Sequence, residues 1–87
     1  MEATVEISLY PLKEAYEPSI LEFIAHLKTF DQFEVRVNET STHLFGDVDA
    51  IFEALSSGMK RVWLEYHASV FVVKFLGVNL KGSADER

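Results

Sequence analysis

At 87 residues and a formal net charge of −6, the chain fits one small domain with a thin margin of stability, and its eight Lys and Arg residues cannot build the wide basic face that nucleic-acid binding needs. It has no cysteine, which removes disulfides and thiolate metal sites and leaves the core to packing, alone or with oligomerisation. No apolar run reaches the roughly 18–20 residues of a bilayer span, and residues 1–4 lack the basic-then-apolar start of a signal peptide, so no membrane partner and a cytoplasmic location are expected.

Residues 4–10 alternate, with Val5, Ile7 and Leu9 on one face and Thr4, Glu6, Ser8 and Tyr10 on the other. That is the period of a half-buried strand, and Pro11 is expected to end it. A helix follows. Pro18 suits its first turn, and Ile20, Phe23, Ile24, Leu27 and Phe30 recur at spacings of three and four as one apolar stripe. Glu22, His26 and Lys28 fall outside that stripe and are expected to face water.

Phe33, Val35 and Val37 alternate with Glu34, Arg36 and Asn38 as a second strand, and Asn38-Glu39 is a candidate hairpin turn. Residues 40–45 then read as a third strand, antiparallel to the second. Either Thr42 and Leu44 point inward or His43 and Phe45 do. Leu44 inward is favoured, because a buried His43 needs a partner. Gly46-Asp47 closes this strand, with Asp47 as N-cap and Asp49 in the first turn of a second helix. Its stripe is Ile51, Leu55, Met59, Val62 and Tyr66, flanked by Phe52 and Trp63, and Gly58 makes a soft middle. His67 follows at the helix end. Residues 69–75 form the last strand, with Phe71, Val73 and Phe75 on one face and Val70, Val72 and Lys74 on the other. Two apolar faces suggest cover on both sides. The polar residues 81–87 are expected to be a disordered tail, leaving residues 1–80 as the domain.

The order βαββαβ gives an α+β fold: the ferredoxin-like two-layer sandwich, with a four-stranded antiparallel sheet and two helices on one face. The other face carries Glu6, Ser8, Tyr10, Glu34, Arg36, Asn38, Val70, Val72, Lys74 and either His43 or Thr42. A mixed apolar and polar surface of that kind marks a contact face. With 48% hydrophobic residues and seven phenylalanines, apolar material exceeds one small core, which points to a homodimer or higher homo-oligomer through this face or an edge.

Two segments, residues 8–12 and 41–47, put hydroxyl residues inside apolar strand patterns. Such placement costs stability unless the hydroxyls meet water, a partner or a ligand. Ser41, Thr42 and His43 are adjacent, but neighbours on a strand point apart and no nucleophile elbow surrounds them. His26, His43 and His67 have no ligand spacing for a metal. Gly46-Asp47 is too short, and too acidic, for a phosphate cradle. Glu6 and Glu34 either pair with Arg36 or Lys74 or serve a cationic ligand. Tyr10 and Phe45 are either ordinary strand aromatics or a stacking wall for a heteroaromatic ring.

Residues 5–12, the run Ser41-Thr42-His43-Leu44-Phe45-Gly46-Asp47 and the long second helix together resemble the YkoF-like family of thiamin and hydroxymethylpyrimidine binding proteins, over roughly residues 4–76. The resemblance implies a non-enzymatic small-molecule binder without a cofactor. Some members carry two repeats in one chain, so a pair of identical subunits is expected to stand in for the tandem pair. Ser8 and Tyr10 from the first motif and Ser41, Thr42 and His43 from the second are the residues it implicates; the physical reading adds Glu6 and Phe45. The alternative is an oligomeric regulatory or interaction domain on the same fold.

Overall fold

The computed structural model describes residues 1–12, 16–66 and 68–81. His67 and residues 82–87 lie outside the described residues, and with them most of the expected tail. The elements run β1 (Glu2–Pro11), α1 (Tyr16–Leu27), β2 (Phe33–Val37), β3 (Thr42–Asp47), α2 (Val48–Tyr66) and β4 (Ser69–Leu76). They form a ferredoxin-like α+β sandwich with strand order β2-β3-β1-β4, every neighbouring pair antiparallel.

Alternation decides which face is buried. Val5 pairs with Leu44 and Phe75, and Leu44 with Val35, so these side chains share the helix-facing side. Val5, Leu44 and Val35 meet Phe23 and Leu27 of α1 and Ile51, Leu55 and Val62 of α2 in one core, while Phe75, near the end of β4, is partly exposed. Leu44 is therefore inward, and Thr42, two residues away, is inward with it.

The two ends of β3 are shaped by particular residues. At its C-terminal end, Gly46 has φ 153°, and a Cβ there would stand 2.6 Å from both Gln32 O and Phe33 Cα. Only glycine lets β2 pass that closely. Asp47 then caps α2, its Oδ2 accepting from the Ala50 N–H at 3.0 Å. At the other end, β3 starts at Thr42 instead of Thr40. Residues 38–41 form a loop closed by the Asn38 N–H donating to Ser41 O at 2.8 Å.

The helix α2 is continuous through Gly58, whose missing side chain is the crossing point with α1. A Cβ there would lie 2.8 Å from Phe23 Cε1 and 3.0 Å from His26 Cδ2. His26 accordingly does not face water. It is half-buried against α2, with Nε2 2.6 Å from Ser57 Oγ. Nor is β4 covered on both sides. It is an edge strand, and Val70 and Val72 are exposed on the outer face.

Residues 77–81 cross that outer face at one end. Thr4 Oγ1 donates to Val78 O at 2.7 Å and accepts from the Leu80 N–H at 2.8 Å. Asn79 Nδ2 donates to Glu2 Oε1 at 2.8 Å, and Lys81 Nζ pairs with Glu34. Lys81 thus belongs to a short strap reaching from β4 over β1 and β3 to β2. Among the described residues, no helix is long and apolar enough to cross a membrane.

Candidate ligand site at the open end of the sheet

The strap leaves the opposite end of the outer face uncovered. There Glu6, Ser8 and Tyr10 of β1, Thr40 and Ser41 of the loop, and Val72 and Lys74 of β4 line a shallow hollow of about 280 Å³. Register explains the grouping: Glu6 pairs with His43 and Lys74, and Ser8 with Val72. Five of the seven sequence-derived site residues, Glu6, Ser8, Tyr10, Ser41 and His43, therefore come together.

Glu6 is the centre of this group. Its Oε2 accepts from Ser41 Oγ at 3.2 Å and lies 3.3 Å from His43 Nε2, while Oε1 lies 3.5 Å from Lys74 Nζ. The Ser41 hydroxyl, followed by Lys74 and His43, holds the Glu6 carboxyl below its ordinary 4.5 against the opposing effect of desolvation. His43 Nδ1 in turn contacts Asn38 Nδ2. Glu34 is held low in the same way, first by Lys81 and also by Arg36 at 3.5 Å. Both carboxylates thus have basic partners on the protein. They are not on adjacent strands, because β3 lies between β1 and β2.

The other two site residues fall elsewhere. Phe45 lies between Thr4 and Glu34 in register, beneath the strap those two residues hold. Only 9% of it is exposed. Its ring has His43 stacked at 6.0 Å and the Arg36 guanidinium 5.2 Å from its centre. It closes the far end of the face and offers no free wall.

Thr42 is on the opposite side of the sheet, 8% exposed. It lines a second recess of about 120 Å³ between α1 and the hairpin loop. Ile7, Leu9, Ile20, Phe23, Ile24 and Val37 give this slot apolar walls, and residues 38–42 give it a polar rim. Thr42 is thus a largely buried hydroxyl residue beside open space. Ser8, Thr40 and Ser41 border both recesses, which lie back to back around one loop.

Sequence reasoning did not find this slot. The apolar residues of α1 read as ordinary core, and only the early end of β3 exposes them beside a hydroxyl. Among the described residues no three His, Asp or Glu side chains converge where a metal could sit.

An α+β domain of ferredoxin-like class, with two small recesses at one end of its sheet, is what the fold and the site define. Residues 2–76 match the model of the YkoF-related family, and the chain belongs to that family. Among curated proteins none matches. Among solved structures, a Streptococcus pneumoniae protein superposes with a TM-score of 0.83 at 23% identity, over 99% of this chain and 96% of the other. A hypothetical protein from Methanocaldococcus jannascii gives 0.79 at 24% identity, over 98% and 89%. A Thermotoga maritima protein proposed to act in thiamine biosynthesis or salvage gives 0.85 at 14% identity, over 99% and 98%. At such identities these likenesses establish the fold.

Proposed function

We propose that this protein is a non-catalytic binder of thiamin or its hydroxymethylpyrimidine part, acting in the cytoplasm as a homodimer or higher homo-oligomer. Family membership and the likeness to a protein tied to thiamine metabolism support the ligand class. One observation carries the reading at this site: an apolar slot beside α1 has Thr42, a hydroxyl residue only 8% exposed, in its lining, with a polar rim at residues 38–41. Apolar walls with a few fixed polar groups are the usual make-up of a small-molecule pocket.

The slot is the better seat for the pyrimidine than the outer hollow. Glu6 already has Ser41, His43 and Lys74 around it, so a cationic ring gains little there. Thr42 can give and take a hydrogen bond, and apolar side chains cover the faces of a flat ring. No bond is made or broken, in keeping with a site that has no activated nucleophile. Ser41 donates to the Glu6 carboxylate, whose lowered pKa makes it a weak base for activating a hydroxyl.

Calorimetric titration with thiamin and with hydroxymethylpyrimidine tests this. Saturable heat that falls by about tenfold or more in affinity in Thr42→Val is expected, since the valine keeps the volume and removes the polar partner. No heat and no thermal shift at millimolar concentrations of either compound ends the proposal. The alternative, an interaction domain with no ligand, draws on the exposed Tyr10, Val70 and Val72; in that case Thr42→Val leaves every measured property unchanged.

A further inference from the structure

Building on the ligand reading above, we propose that the main chain of Leu9, left without a strand partner where β3 ends, reads the donor–acceptor edge of an aminopyrimidine. In an antiparallel sheet each residue directs both its N–H and its C=O to one neighbouring strand, and successive residues alternate. Two bonds beyond the ladders fix the phase in β1. The Leu12 N–H donates to Ala68 O at 3.1 Å, and the Val48 N–H donates to Met1 O at 2.9 Å. The first continues the pairing of Tyr10 with Val70, and the second continues that of Glu2 with Asp47. Even-numbered residues of β1 therefore bond β4, and odd-numbered residues bond β3.

Ile7 is the last of the odd set to meet a partner, Thr42. Leu9 comes next, its N–H and C=O aimed at the place where Thr40 would continue β3. The loop has turned away there. Among the described residues no main-chain bond joins Leu9 to it, and the Thr40 carbonyl meets only the Ser8 hydroxyl, at 3.5 Å. Pro11 is the following odd residue, and it fits the same phase. Its missing N–H would have faced the gap, so a proline inside the strand costs no bond to β4.

The gap opens onto the slot that Leu9 and Thr42 both line. An aminopyrimidine carries a ring nitrogen and a neighbouring amino group side by side in one plane, an acceptor beside a donor. The N–H and C=O of one extended residue present the complement. The Leu9 N–H would donate to the ring nitrogen, and the amino group would donate to the Leu9 carbonyl. In effect the heterocycle takes the place of the missing residue of β3, with the Thr42 hydroxyl as a further contact. A pyrimidine with hydrogen in place of the amino group leaves the Leu9 carbonyl unpaired and binds more weakly.

The experiment is amide NMR on the full-length protein, with hydroxymethylpyrimidine and its analogue bearing hydrogen in place of the amino group as probes. In the free protein the Leu9 amide should exchange with solvent much faster than those of Ser8 and Tyr10. Saturation with hydroxymethylpyrimidine should shift the Leu9 resonance and slow its exchange about tenfold or more, and the des-amino analogue at the same concentration should do neither. Leu9→Pro removes the N–H without touching the β4 ladder. It should keep the wild-type circular dichroism and weaken binding about tenfold or more, while Leu9→Ala, which keeps the N–H, should weaken it less. Should Leu9→Pro fail to fold, the wild-type exchange and titration data still decide. Leu9 as protected as Ser8 in the free protein overturns the geometry. Binding that moves Ser41 and Lys74 but leaves Leu9 unchanged overturns the role of Leu9 while sparing the ligand. Free-state exchange as expected, but no response to any pyrimidine, instead overturns the ligand class and the inference with it.

Discussion

Gly58 and His26 show how one missing side chain and one imidazole set the distance between the helices. Alanine at position 58 gains helix propensity worth up to about 1 kcal/mol. Its Cβ, however, would meet Phe23 Cε1 at 2.8 Å, and Phe23 is fixed by packing against Phe71, with ring centres 5.0 Å apart. Overpacking of that kind costs about 1–3 kcal/mol, so Gly58→Ala should destabilise the domain by about 1 kcal/mol in urea unfolding. A more stable variant would mean that α1 swings away freely.

His26 adds a dependence on pH. The Ser57 hydroxyl donates to Glu53 O at 3.0 Å, so it accepts from Nε2 of the imidazole. Burial between the helices, followed by the charge of Arg61, pushes the His26 pKa below its ordinary 6.5. The unfolded chain therefore binds the proton more readily, and the stabilisation present above pH 6.5 is lost as pH falls toward the folded value. Glu6 and Glu34 are depressed from 4.5, so their losses come only at lower pH. Between pH 6.5 and 5 the melting temperature should fall in the wild type and fall less in His26→Gln. Parallel curves for the two proteins would remove His26 from the account. The sequence placed His26 in water because it lies beside the apolar stripe of α1; only the gap at Gly58, on another helix, draws it in.

Among the elements, those with a strong local period were legible. The alternation of β1 and the stripe of α2 each fix one buried face, and Asp47 caps α2 as its position suggests. Two boundaries were not legible. Thr40 and Ser41 are acceptable strand residues, and nothing local says that the chain joins β3 only at Thr42; the closing bond from Asn38 to Ser41 depends on how β2 and β3 are paired. The strap of residues 77–81 has no period at all. It is held by Thr4, whose hydroxyl sits between the Val78 carbonyl and the Leu80 N–H, a contact across almost the whole chain. Thr4→Val keeps the strand and removes both bonds. Hydrogen exchange of residues 78–81 should accelerate about tenfold, with stability reduced by about 1 kcal/mol. Pyrimidine binding should persist, because the strap covers the end of the sheet opposite the recesses. Unchanged exchange would show that the Asn79–Glu2 and Lys81–Glu34 contacts hold the strap without Thr4.

At the scale of the whole molecule, the dimensions of 41 × 23 × 17 Å leave room for one helix layer and one sheet. The second face of the sheet is therefore surface in a single copy. The strap covers one end of it. The rest keeps Tyr10 at 54% and Val72 at 46% exposure, with Val70 beside them, around the charged group of Glu6, His43 and Lys74. The proposed homo-oligomer would bury this face, and Val72, opposite Ser8 in register, is near its middle. An aspartate there brings an unpaired carboxylate into an apolar contact, a cost well above the 1.4 kcal/mol that equals tenfold in association. In light scattering coupled to size exclusion, the wild type should show a multiple of the 9.9 kDa chain mass, and Val72→Asp should shift toward a single copy. Leu64 is the control: it is 80% exposed on α2, away from the outer face, and Leu64→Asp should leave the mass unchanged. If Leu64→Asp dissociates the assembly and Val72→Asp does not, the contact lies on the helix layer. The outer hollow would then stay open to solvent in the assembled protein.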